Sequence, residues 1–146
     1  MRFVFLVILG LFHSVAVYAE DGNFDRAVAI FREANQPRQA ADLLMRQGQR
    51  REAIPLFEEA GAYRQAAEVC LALHQHVRAA RLFEKADLFH DAAESFAKAG
   101  EVEQALAAWE RESEQLKRQG QAEGDQVVSA RLRELDLHRA DILARF

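Results

Sequence analysis

An alanine recurs at every thirteenth position through most of this 146-residue chain. The column contains Ala27, Ala40, Ala53, Ala66, Ala79, Ala92 and Ala105. A second column of mostly large apolar residues stands four positions later, and it contains Phe31, Leu44, Phe57, Cys70, Phe83, Phe96 and Trp109. Self-similarity at a fixed period predicts a repeat architecture in which each unit buries one face against its neighbours.

The spacing within each unit is typical of a helix. Apolar residues stand 0, 1, 3, 4 and 7 positions from the alanine, which marks one face of an α-helix. The face stops at a column that begins with Asn35, Gly48 and Gly61, residue types that accept the left-handed conformation at a helix C-terminus. An unbroken helix would rotate its apolar stripe by roughly 140° at each repeat. The pattern therefore predicts helices of about ten residues separated by turns of about three.

Both prolines are compatible with these predicted helix boundaries. Pro37 follows the break at Asn35, as proline commonly does after a helix end. Pro55 is expected within the first turn of a helix that starts near Arg51 or Glu52, because backbone donors are not yet needed there.

Helices this short are not stable alone, so each must pack on its neighbours. We predict an all-α fold, an α-α superhelix or solenoid of about seven short antiparallel helices over residues 20–118. A joint at residues 119–125 and a longer C-terminal capping helix at residues 126–146 are expected to follow. In this arrangement the alanines allow close helix approach, and the large residues fill the shared core.

One stretch resembles a known repeat family. The segment "GNFDRAVAIFREA" is similar to the second helix of a tetratricopeptide repeat, through Gly22, Phe24, Ala27, Phe31 and Ala34. The likeness covers about residues 22–113, and it implies a helical solenoid that binds protein partners. The chain departs from the family pattern because one short helix recurs every thirteen residues, whereas that family alternates two helices over about 34 residues. The first-helix signature is missing, so no peptide-binding residues of the family are carried over.

The first nineteen residues have the layout of a secretory signal peptide. Arg2 precedes an apolar run, and small residues end the segment at Ala19, the predicted cleavage point. The alternative is an uncleaved membrane anchor, since the run is near the short limit for spanning a bilayer. Either route takes the chain out of the cytosol, and the periplasm of a Gram-negative bacterium is the expected compartment. Cys70 is the one cysteine, so no internal disulfide is expected.

The C-terminal segment is amphipathic. Its apolar side contains Val128, Leu132, Leu135, Ile142 and Phe146. The favoured interpretation is a cap that shields the open end of the solenoid. The alternative is a homodimer seam through residues 126–146, because Val128, Leu135 and Ile142 are seven residues apart.

The sequence offers little catalytic chemistry. It contains no phosphate-binding glycine loop and no nucleophile elbow, so we predict neither an enzyme nor a cofactor. The net charge of −4 argues against a nucleic-acid partner. Three histidines suggest a metal-binding or enzymatic alternative, with His74 and His90 in turns and His76 in an aromatic column. That alternative is disfavoured because they lack a recognised ligand spacing.

Candidate partner-binding residues lie in the polar columns. Arg38, Arg51 and Arg64 occupy one such column, which begins with Asp25. The residue type in this column varies between units, as it would on a surface that determines specificity. The stretch "MRQGQRREA" carries Arg46, Arg50 and Arg51, which suit an acidic partner or lipid head groups, although a solvated turn is the simpler interpretation. The expected function is an exported adaptor or assembly scaffold for a protein or peptide partner in the bacterial cell envelope. A membrane-anchored assembly subunit is the alternative if the N-terminal segment is retained.

Overall fold

A computed structural model describes residues 24–123 and, near the C-terminus, residues 133, 136–137, 140–141 and 143–144. The described residues contain helices and no strand. The helices are α1 (Phe24–Glu33), α2 (Pro37–Arg46), α3 (Arg50–Glu59), α4 (Tyr63–Ala72), α5 (His76–Lys85), α6 (Phe89–Lys98) and α7 (Val102–Glu123). The first six are ten residues long, and all seven begin thirteen residues apart. The predicted all-α solenoid is confirmed.

Each described turn has the same backbone conformation. Its middle residue has a positive φ angle, and these residues are Asn35, Gly48, Gly61, His74, Asp87 and Gly100. At the first turn, the amide of Asn35 donates to the carbonyl of Arg32, and the amide of Gln36 donates to the carbonyl of Phe31 at 2.8 Å. This pair of bonds defines a Schellman motif, which satisfies carbonyls left open at the helix end. The same pair recurs at the other five turns.

One residue ends each helix and begins the next. The amide of Gln49 donates to the carbonyl of Leu44, and the carbonyl of Gln49 accepts the amide of Ala53 at 3.2 Å. Gln49 has φ −80° and ψ 57°, close to an inverse γ-turn, and the Arg50 amide accordingly donates to the Gly48 carbonyl at 2.9 Å. In α2 to α7 the amide of the alanine column therefore makes the first helical bond, and the carbonyl of the large-residue column closes each preceding helix.

The two columns also form the core. All seven alanines are fully buried, with an exposed fraction of 0%. In the large-residue column, exposure does not exceed the 8% of Phe31, and Cys70 is fully buried. A third column adds Leu43, Leu56, Val69 and Leu82 to the buried set. The face that carries these residues is the one marked by the apolar spacing.

The chain divides between Ala66 and Ala67 into two compact units. In the first unit α1 packs on α2 and α2 packs on α3, and in the second α5 packs on α6 and α6 packs on α7. His90 at the start of α6 lies 3.1 Å from Glu112, eleven residues into α7, so these two helices are antiparallel. Arg111 of α7 donates to Glu84 of α5 at 2.7 Å, which places alternate helices side by side.

Three local expectations differ from the structure. The placement of Pro55 in a first turn was wrong, because α3 starts at Arg50 and Pro55 is its sixth residue. His90 is the second residue of α6 and does not lie in a turn. The helix α7 continues through residues 119–123 of the expected joint, whereas residues 124 and 125 lie outside the described part.

Most residues of the expected C-terminal cap also lie outside the part of the chain that the structure describes. The seven described residues between 133 and 144 are helical and exposed, and they include Leu137 and Leu143. The apolar side predicted for this segment is made of residues that are not described, as is the predicted leader at residues 1–19.

Candidate functional site

The three candidate partner-binding arginines are exposed at equivalent positions. Arg38, Arg51 and Arg64 are each the second residue of a helix. Because consecutive helices reverse direction, Arg38 and Arg51 lie at opposite ends of the α2–α3 pair, about 15 Å apart along the helix axis. Arg64 belongs to the next helix, α4. The structure therefore does not bring the three guanidinium groups together.

The histidines are distributed over two places. His74 stands at a positive-φ turn position, and its ring meets the ring of His76 edge to face with centroids 6.1 Å apart. His90 instead contacts carboxylates. Within the described residues no group of three or more His, Cys, Asp and Glu side chains could hold a metal ion.

His90 lies between two glutamates. Its Nδ1 is 3.1 Å from an oxygen of Glu112, and its Nε2 is 3.4 Å from one oxygen of Glu94. The other oxygen of Glu94 is 3.9 Å from the Lys98 ammonium. The Glu112 side chain is only 10% exposed, and it stands at the position that alanine occupies directly after α1, α3, α5 and α6. A carboxylate that is itself buried needs a hydrogen-bond partner, and His90 supplies one.

The geometry of this cluster favours a structural cross-link. A histidine oriented by a carboxylate needs a nucleophile within reach to act in covalent catalysis. The nearby Ser95 hydroxyl donates to the carbonyl of Asp91 at 2.7 Å, within its own helix. Cys70 is fully buried in the large-residue column. The sequence did not indicate the pairing of His90 with Glu112, because the two residues are 22 positions apart. The one available signal was a glutamate in a column that is mostly alanine.

Trp109 is part of the core, as its column suggested. It is 3% exposed, and its indole nitrogen is buried without a hydrogen-bond partner. The residue is therefore not placed to act as an exposed anchor for a partner.

Two exposed features are candidates for recognition. The first is the outward column, defined here as the sixth residue of each helix: Ala29, Asp42, Pro55, Glu68, Arg81, Glu94 and Ala107. All of these residues are exposed except Glu94, which is half-buried. The second is the basic turn, residues 46–52, in which every residue is exposed.

No described helix is both long enough and apolar enough to span a membrane. Models of known protein families give no match to this chain, and a search of curated proteins gives none either.

Proposed function

We propose that this protein is an exported, non-enzymatic scaffold that binds a protein or peptide partner. Its place would be the bacterial periplasm or cell envelope, as an adaptor or assembly factor. The observation that carries this proposal is the combination of an unchanging frame with a changing outer surface.

The frame is repeated with little variation. The six described turns share one set of hydrogen bonds, and the buried alanine is present in every helix. The outward column presents an acid at Asp42, a ring at Pro55 and a base at Arg81. Helices held in this way display side chains on a pre-organised surface, which lowers the entropy lost on binding. A varied display on a repeated frame supports recognition of another protein.

The resemblance to tetratricopeptide repeats supports the same class of function. Phe24 opens α1, Ala27 is fully buried on its inner face, and Phe31 follows one turn later at 8% exposure. These are the roles that the small and aromatic residues of that repeat would require. We propose a compact variant of this class in which every helix has equivalent packing columns.

Affinity capture from the native envelope tests the scaffold function. The native chain is compared with the double variant Asp42→Lys, Arg81→Glu, which exchanges two exposed charges and leaves the net charge unchanged. We expect the native chain to retain at least one protein reproducibly, and the variant to retain several-fold less of it. Failure of the native chain to retain any protein reproducibly contradicts the scaffold function.

Mass spectrometry of the exported chain tests its localisation. Cleavage after Ala19 leaves Glu20 as the N-terminal residue. We expect that terminus in the soluble periplasmic fraction. A chain that retains residues 1–19 and sediments with the membrane supports the anchored alternative instead.

A further inference from the structure

The basic turn departs from the other described turns at three positions. Five turns begin with a half-buried alanine or leucine, whereas this turn has the exposed Gln47. The residue that joins two helices is half-buried in the other turns, and here it is the exposed Gln49. The next helix opens with a half-buried Pro, Tyr, His, Phe or Val elsewhere, and here with the exposed Arg50. At these three positions the basic turn therefore has exposed polar residues where the other turns have half-buried ones.

The cations of the basic turn are not used within the fold. Arg46, Arg50 and Arg51 form no hydrogen bond or ion pair through their side chains with any described residue. Other cations of the chain do, as Arg111 shows with Glu84.

The position of two of these arginines is also unfavourable for stability. Arg50 and Arg51 are the first two residues of α3, where the helix dipole is positive and an acidic side chain is favoured; the acidic residue of this turn, Glu52, comes one position later. Gln49, which precedes them, makes no side-chain capping bond. The arrangement therefore concentrates positive potential at one exposed tip of the first unit, at some expense to the helix.

We propose that the basic turn is the docking site for an acidic segment of the protein partner. This proposal rests on the scaffold function. Guanidinium groups bind carboxylates through two parallel hydrogen bonds, and arginine is enriched among residues that dominate binding energy at protein interfaces. All seven cationic residues between positions 24 and 66 are arginines, and the basic turn holds three of them within six residues. Glutamate or aspartate side chains on an extended or helical partner segment fit this surface.

An anionic membrane is a poorer fit to the same surface. Three cations strengthen adhesion to an anionic bilayer by roughly a hundredfold, and stable attachment needs a second, apolar signal. Among the described residues of the unit that carries the basic turn, no large hydrophobic side chain is exposed to supply it. A protein partner can exclude water from the ion pairs and add contacts around them.

Nuclear magnetic resonance of the native chain tests the proposal. The probe is a synthetic peptide of alternating glutamate and glycine, titrated at low salt. We expect shift changes to concentrate on amides 45–53 and to weaken as salt is added. The triple variant Arg46→Gln, Arg50→Gln, Arg51→Gln should bind the peptide about tenfold more weakly, as the loss of three exposed ion pairs implies.

A matched variant controls for net charge. The triple variant Arg32→Gln, Lys117→Gln, Arg133→Gln removes the same charge from exposed positions elsewhere. We expect it to bind the peptide less than about threefold more weakly, because general screening is all that it alters. Equal weakening in both triple variants, or shifts centred outside residues 45–53, overturns the proposal. Signal loss with phosphatidylglycerol vesicles at matched anion concentration overturns it in favour of a membrane.

The capture assay separates this proposal from the scaffold function. If the basic-turn variant is folded and still retains the same proteins as the native chain, the docking site is elsewhere and the scaffold function stands. If the native chain retains no protein, the scaffold function itself fails.

Discussion

Alanine at the fourth position of each helix is constrained in two ways. Its side chain has no exposed surface, and in α2 to α7 its amide makes the first hydrogen bond of its helix, as Ala53 does with Gln49. A larger side chain would meet neighbours that are already close-packed. The constancy of this column is therefore a packing requirement of the repeat.

The substitution Ala66→Leu tests that requirement. We expect it to lower the free energy of unfolding by about 1–3 kcal/mol, because extra methyl groups in a filled core force neighbours apart. Ala72→Leu is the control, since Ala72 is exposed on the same helix and should tolerate leucine within about 0.5 kcal/mol. Urea unfolding of the two variants measures the difference. Equal stability of both would show that the column is not tightly packed.

Pro55 lies in the interior of a helix, although proline disfavours that position. It stands sixth in α3, so the carbonyl of Arg51 lacks its helical donor, although both residues are exposed and water can reach the gap. We expect Pro55→Ala to raise the free energy of unfolding by about 1–3 kcal/mol, with the larger chain entropy of the unfolded state limiting the gain.

The same column of α1 provides the matched test. Ala29 is exposed at the equivalent position, and Ala29→Pro should destabilise the chain by about 3 kcal/mol. Thermal unfolding of the two variants is expected to shift the midpoint in opposite directions. A loss of stability on Pro55→Ala would instead mean that the ring of Pro55 makes contacts that matter.

At the scale of the element, the turn determines where each helix stops. Its middle residue must adopt a positive φ, which glycine accepts readily and other residues adopt at a cost. Gly61 has φ 67° with nothing within 4 Å of where a Cβ would stand, so the demand there is conformational and not steric. His74 and Asp87 meet the same demand without being glycine.

Reciprocal substitutions isolate that demand. Gly61→Ala should lower the free energy of unfolding by about 1 kcal/mol, and His74→Gly should raise it by somewhat less, because glycine also gains entropy in the unfolded chain. Chemical denaturation gives both values. An unchanged midpoint for Gly61→Ala would contradict the role assigned to the left-handed turn residue.

The boundaries of the helices were predictable because the turn residues are local signals. The period, the buried columns and the break at Asn35 all follow from residue types along the chain. The start of α3 was misjudged because the joining residue is Gln49, which lacks the short polar side chain that usually marks a helix start. The bond between His90 and Glu112 depends on packing between helices, so no spacing rule could indicate it.

At the scale of the molecule, the first described helix is less covered than the helix that follows it. In α1, Val28 and Ile30 are half-buried, whereas the equivalent residues of α2, Ala41 and Leu43, are buried. Stacked repeats gain stability from each interface, so a helix with fewer covered faces opens at lower free energy.

Hydrogen exchange measures that difference within the first unit. We expect the amides of α1 to exchange at least about tenfold faster than those of α2, which corresponds to roughly 1.4 kcal/mol less protection. The buried Phe31 and Leu44 occupy equivalent positions of the repeat and provide the comparison once each rate is divided by its intrinsic exchange rate. Equal protection of the two helices would show that the first unit opens only as a whole.

The residue shared by two helices has a consequence for how such a chain can lengthen. Since Gln49 closes α2 with its amide and opens α3 with its carbonyl, the connection has no spare length. A single inserted residue would separate those two bonds, whereas a block of thirteen would restore both at a new joint. Gene duplication should therefore lengthen this protein, and deletion shorten it, in whole blocks of thirteen residues. An engineer could join copies of one block to set the number of exposed recognition positions.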